Sequence, residues 1–149
     1  MLAATFQLYF KETVSQRGCP ANSLFKPDYK TNGWLNGYKD YFAHHYQIQF
    51  DDSPADFKVL EEIILARNRV QHPESITRDS SHYSFTDLEK LPHPFFINSR
   101  EESFFYSDIE EGMRSWLIPP TVHITHEKLF FALSEVNKFV EWLETVKKT

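Results

Sequence analysis

Ser53-Pro54-Ala55-Asp56-Phe57-Lys58-Val59-Leu60-Glu61-Glu62-Ile63-Ile64-Leu65-Ala66-Arg67-Asn68-Arg69-Val70-Gln71-His72-Pro73 contains a start signal, an apolar stripe and a stop signal for one helix. Ser53 can cap, Pro54 suits the first helical position, and Asp56 lies in the first turn, where the helix dipole favours an acid. Phe57, Leu60, Ile63, Ile64 and Val70 recur on one face, opposite Lys58, Glu61, Glu62, Asn68 and Arg69. Pro73 disfavours helical geometry at His72, so the stretch predicts a helix over 54–71 that releases His72 into an extended or turn conformation.

Three further helices are expected around it. Leu2, Phe6, Tyr9, Phe10, Thr13 and Val14 trace one over 2–16, stopped by Gly18-Cys19-Pro20. Trp34, Leu35, Tyr38, Tyr41, Phe42, Tyr46 and Ile48 trace a second from Gly33 to about Phe50. The last begins after Thr125 as cap and Glu127 in the first turn, with Leu129, Leu133, Val136, Val140 and Leu143 as its stripe and Lys147 and Lys148 at its end. Residues 73–124 are irregular and read as an insertion. A helical turn near Asp108–Met113 is expected within it, and Trp116–Ile118 and Val122–Ile124 suit two short extended pieces around Pro119-Pro120. The expected fold is all-α: one domain over 1–149, an up-and-down helical bundle with an irregular insertion and at most a small β element before the last helix.

Composition narrows the function classes. A chain of 149 residues, 41% hydrophobic and 16% aromatic, can bury a core without disulfides or metal. Four glycines argue against a glycine-rich phosphate loop. Cys19 has no partner for an intrachain disulfide, and Lys11 and Glu12 break the first apolar run too early for a signal core or a membrane span. A soluble protein of a reducing cytoplasm is therefore expected. A formal charge of −5 excludes a generally basic surface, so any nucleic-acid contact must be local.

The local candidate is Arg67 to Arg78, where three arginines gather with His72. On a continuous helix Arg67 and His72 would lie roughly 140° apart, and the break at Pro73 is what frees the imidazole to swing back. Arginine offers a permanent planar fork for two phosphate oxygens, and histidine moves protons near neutral pH. The pair suits RNA cleavage without metal: the 2′-hydroxyl loses its proton, attacks phosphorus and expels the 5′-oxygen as a proton arrives. One histidine can hardly be base and acid in one step, so the mechanism implies a two-fold homodimer that brings two copies of Arg67 and His72 to one cleft. Asn68 and Arg69 are the accompanying candidates for phosphate or RNA contact. The same residues also admit a plain reading, a solvated arginine beside a helix-terminal histidine that caps carbonyls.

The run Glu62-Ile63-Ile64-Leu65-Ala66-Arg67-Asn68-Arg69-Val70-Gln71-His72-Pro73, with Gly37-Tyr38-Lys39-Asp40-Tyr41-Phe42 upstream and the long last helix, resembles the HEPN superfamily. The resemblance covers residues 34–74 and 125–147. It implies a helical bundle, a dimer, and metal-independent endoribonuclease activity of the kind found in toxins and phage-defence proteins, with Arg67 and His72 as the catalytic pair and Asn68 as the polar companion. It also implies an antitoxin or other protein partner, and it leaves room for a noncatalytic module that binds a partner protein or a nucleotide. Glu74 stands where some toxin branches carry a tyrosine.

Other motifs are weaker. Adjacent His44 and His45 diverge by about 100° on a helix, and His123 and His126 have no cysteine or carboxylate at ligand spacing, so neither a metal nor another cofactor is expected. Ser80, Ser81 and Ser84 near His82 lack nucleophile-elbow glycines. Phe95-Phe96 and Phe104-Phe105-Tyr106 suit core filling or dimer contact better than base stacking.

Overall fold

The computed structural model describes residues 1–17, 33–71, 81–105 and 119–146, and side chains throughout these except at 104 and 105. Among them the secondary structure is all-α: α1 (Leu2–Gln16), α2 (Gly33–Tyr46), a 3-10 turn (Phe50–Asp52), α3 (Phe57–Gln71), α4 (Phe85–Lys90), α5 (Ser99–Phe105) and α6 (His126–Val146). The chain forms two compact units, one of Met1–Phe57 with Leu133–Thr149 and one of Lys58–Ala132. The segment expected to be an insertion thus belongs to the same unit as most of α3.

The first unit explains the aromatic composition. Ala3, Phe6, Phe10 and Thr13 are buried at the three- and four-residue spacing of α1. Phe10 stacks on Tyr38 at 4.8 Å and meets Trp34, Phe42, Phe50 and Phe139 at 5.7–6.0 Å. Phe139 in turn sets its edge against Phe6 and Phe50. Tilted and edge-to-face pairs of this kind add about 0.5–1.5 kcal/mol each beyond the area they bury.

Two boundaries differ from expectation. α2 ends at Tyr46 instead of running to Phe50, because Gln47 turns left-handed (φ 55°) and the N–H of Ile48 returns to the carbonyl of Phe42. The reversal buries Ile48 and Phe50 and brings Phe50 to 5.4 Å from Phe42. α3 begins at Phe57, three residues after the expected Pro54. Ser53 accepts a hydrogen bond from the N–H of Ala55 in a tight turn, and the helix entrance is served from far along the chain, by Glu135 accepting the N–H of Asp56 at 2.7 Å. A buried acid beside a helix N-terminus is the sign the dipole favours. Lys138 holds the same carboxylate at 2.6 Å.

α6 is capped as expected, Thr125 Oγ1 accepting the N–H of Lys128. Its buried face keeps Val136 and Leu143 of the expected stripe but departs from it in the first turns. Ala132, Glu135, Val136, Phe139 and Leu143 are buried, whereas Leu129 and Leu133 are exposed. Apolar spacing alone cannot choose between neighbouring faces of a helix with so many apolar residues. Here Lys128 and Phe131 settle it, because both engage the chain at Phe95–Ile97 and so turn Leu129 and Phe130 outward.

Among the described residues the β element is one antiparallel bridge, His82 with Thr121, flanked by Tyr83 N–H to Pro120 carbonyl and Val122 N–H to Ser81 carbonyl bonds. The stretch at Thr121–Val122 thus pairs with residues 81–83. The turn expected near Asp108–Met113, the pieces at 116–118 and the closing Lys147 and Lys148 lie outside the described residues. No described helix is long and apolar enough to cross a membrane.

Candidate functional site at the end of α3

α3 is fixed in the second unit by two polar anchors on its inner side. Glu62, 2% exposed, receives the hydroxyl of Tyr83 at 2.6 Å and the backbone N–H groups of Phe95 and Phe96 at 2.7 Å each. Three donors on one carboxylate are what allows a charge to be buried there. Burial and the Glu62 charge hold the Tyr83 hydroxyl well above its ordinary range, so it remains a donor. Lys128 completes the arrangement from the opposite charge: its Nζ donates to the carbonyls of Phe95 and Ile97, while the N–H of His123 reaches the carbonyl of Phe96. The apolar segment Phe95–Ile97 is thereby gripped by its main chain, N–H groups on the acid and carbonyls on the base.

The second anchor is Arg69. Its Nε donates to Asp87 Oδ2 at 2.6 Å, and its Nη2 to Asp87 Oδ1 at 2.9 Å and Ser84 Oγ at 2.8 Å. Ser84 and Asp87 are also joined in a capping box that starts α4, each side chain accepting the other's backbone N–H. Burial tends to raise the Asp87 pKa, but the hydrogen bonds from Arg69 and Ser84 outweigh it and leave the carboxyl below its usual value. Arg69 therefore has an occupation other than the expected phosphate contact.

Arg67 differs. Two helical positions turn a side chain through about 200°, so the guanidinium of Arg67 leaves α3 on another side from that of Arg69. It is half-buried, and its hydrogen bond among the described residues is a 3.2 Å contact from Nη1 to Oδ1 of the exposed Asn68. No described carboxylate forms an ion pair with it. His72 lies outside the described residues, which stop at Gln71. Of the four candidates, the described residues bring Arg67 and Asn68 into contact and direct Arg69 to Asp87.

Sequence reasoning overlooked Asp87, Glu62 and Lys128. Ser84-Phe85-Thr86-Asp87 fits the capping-box pattern and could have placed α4. The pairing of Glu62 with the 95–96 backbone leaves no trace in spacing, since a carboxylate that reads main-chain N–H groups imposes no residue type on its partners. Among the described residues no cluster of three or more His, Cys, Asp or Glu side chains could hold a metal ion.

The chain matches no family model, no curated protein and no solved structure.

Proposed function

We propose that the protein is a metal-independent endoribonuclease of HEPN type, acting as a homodimer in the cytoplasm, as a toxin or phage-defence component with an antitoxin or other protein partner. Arg67 of each copy holds the scissile phosphate, with Asn68 beside it, and His72 of each copy handles the protons, one as base at the 2′-hydroxyl and one as acid at the 5′-oxygen.

The observation that supports this best is the division of labour between two arginines on one helical turn. Arg69 is neutralised by Asp87 and braces α3, whereas Arg67 is presented next to Asn68 with no described acid to neutralise it. A phosphate-binding arginine needs both conditions, a fixed backbone and an unclaimed guanidinium. The noncatalytic alternative, a helical module that binds a partner protein or a nucleotide, draws support from the −5 charge and from the loss of Arg69 as a free cation.

The test is cleavage of single-stranded RNA in a chelator. Wild type should cut, and His72→Ala and Arg67→Ala should each lose at least about a hundredfold in rate, the scale of removing a general acid-base or a charge-stabilising group. Equal rates for wild type and His72→Ala would sink the proposal.

A further inference from the structure

Val70 and Gln71 close α3, and helix geometry sets both beside Arg67. Three and four positions on from Arg67, they lie about 60° and 40° to either side of it, one turn further along the axis, where Cβ atoms are roughly 5–6 Å apart. Gln71 is also three positions from Asn68, so it stands over the pair joined by the hydrogen bond from Arg67 Nη1 to Asn68 Oδ1. Helical side chains lean toward the N-terminus, which inclines those of Val70 and Gln71 over the turn that carries Arg67. Val70, which the sequence places on the apolar face, is 52% exposed, and Gln71 is exposed as well. Resting on the phosphate site proposed at Arg67, we infer that these two residues form a nucleoside subsite: Gln71 reads the edge of the base next to the bound phosphate, and Val70 packs against its ring.

The surroundings of Arg67 on α3 favour this direction. Toward the N-terminus the same side of the helix is closed, with Leu60, Ile63 and Ile64 all buried. Across the helix, the guanidinium of Arg69 is taken by Asp87 and Ser84 and offers no second cation to a neighbouring phosphate. The exposed groups of α3 nearest Arg67 are therefore Asn68 beside it and Val70 and Gln71 one turn on.

The residue types suit the task. Phosphate contacts position a nucleic acid and base contacts specify it. In a chain of formal charge −5, neutralising a phosphate at Arg67 supplies position but little affinity, and the remainder must come from the nucleoside. The glutamine amide carries a donor and an acceptor side by side, and so can pair with two atoms of one base edge. Valine adds an apolar surface that is stiff at χ1 and has little freedom to lose on contact. Base edges of this kind are open in single-stranded RNA, so the subsite takes an unpaired nucleotide.

The probes are the four 2′-O-methylated dinucleoside monophosphates with identical bases, each of which carries one phosphate and lacks the hydroxyl that would attack it. Titrated into the full chain and followed by nuclear magnetic resonance, they should bind wild type with affinities that differ by at least about tenfold, the discrimination of a two-atom contact to a base. The side-chain amide signals of Gln71 should shift on binding. Gln71→Ala should narrow the spread to less than about threefold by removing that contact. Arg67→Ala should weaken all four, and Val70→Ala should weaken all four without reordering them. Because Val70 and Gln71 are exposed, circular dichroism of their variants should match that of wild type. A wild type that binds the four alike, or a Gln71→Ala protein that keeps the wild-type ranking, overturns the inference whether or not RNA is cut. A wild type that binds no probe overturns the subsite and the phosphate site together. The expected ranking in a protein that cuts no RNA leaves the subsite standing and removes the cleavage chemistry alone.

Discussion

Arg69 and Asp87 are joined by two parallel hydrogen bonds, Nε to Oδ2 and Nη2 to Oδ1, and this fork ties the last turns of α3 to the start of α4. The Asp87 side chain is 9% exposed, so the pair lies between a surface bridge and a buried one.

Asp87→Asn should therefore destabilise the protein by about 1–3 kcal/mol in urea unfolding, less than a fully buried pair and more than a surface one. The pH dependence has a definite sign. Because the folded carboxyl is held below its ordinary value, its contribution is present above about pH 4 and disappears as pH falls further. Asp87→Asn should flatten that part of the acid limb, and an unchanged acid limb would show that the fork is not what depresses the carboxyl.

The two arginines should separate in a paired measurement. Arg67→Ala should change stability by less than about 0.5 kcal/mol, as expected of a side chain outside any buried network among the described residues, while lowering the proposed RNA cleavage at least about a hundredfold. Arg69→Ala should cost about 1–3 kcal/mol by leaving Asp87 unpaired. Should Arg67→Ala prove the more destabilising, the division of roles drawn from their hydrogen bonds is wrong.

How much of this was legible beforehand depends on which force set each feature. The helices α1, α3 and α6 declare themselves because burying a stripe every three or four residues is a local pattern, and Thr125 caps where its position says it should. The start of α3 departs from the local signal of Ser53 and Pro54 because Ser53 closes a turn on Ala55 and the N–H of Asp56 is served by Glu135, whose position in space no local pattern encodes. The exposed Leu129 and the inward Lys128 reverse the usual preferences of both residues, since two backbone carbonyls without partners demand a donor more strongly than one leucine demands burial. At the site, the residue types at 67–69 could be read directly, but which arginine was already neutralised depended on Asp87, eighteen positions away from Arg69.

Glu62 and Lys128 give a third prediction. Glu62→Gln replaces one acceptor oxygen by a donor facing a donor, and should cost about 2–4 kcal/mol, the sum expected for an unsatisfied buried N–H and a weakened charged hydrogen bond. Lys128→Met keeps the stem and removes the donor, and should cost about 1–3 kcal/mol for the carbonyls it leaves. Tyr83→Phe should be milder, about 1 kcal/mol, because the carboxylate keeps its two backbone donors. Chemical denaturation of the three variants orders them, and a Tyr83→Phe loss larger than that of Glu62→Gln would place the main anchor elsewhere.

At the alkaline end, Tyr9 and Tyr83 should stand apart from ordinary tyrosines. Burial, then the hydrogen bond to Glu144, raises the Tyr9 hydroxyl above its usual range, and burial, then the Glu62 charge, raises that of Tyr83. A raised folded pKa stabilises the fold below the unfolded value of about 10 and ceases to do so as pH climbs past the folded one. Ultraviolet titration should show these two phenols ionising later than ordinary tyrosines and only with unfolding. Tyr9→Phe and Tyr83→Phe should each remove one late-titrating group, and a loss of an early one would contradict the assignment.

The grip on Phe95–Ile97 has an evolutionary consequence. Glu62 and Lys128 bind peptide groups, which every residue but proline supplies alike. Their hold is therefore blind to the side chains it positions, and the ring at 95, on which Phe131 rests, is free to change while the backbone beneath it keeps its course. Lineages could remodel this ring contact one substitution at a time, provided the acid on one helix and the lysine on the other are inherited together.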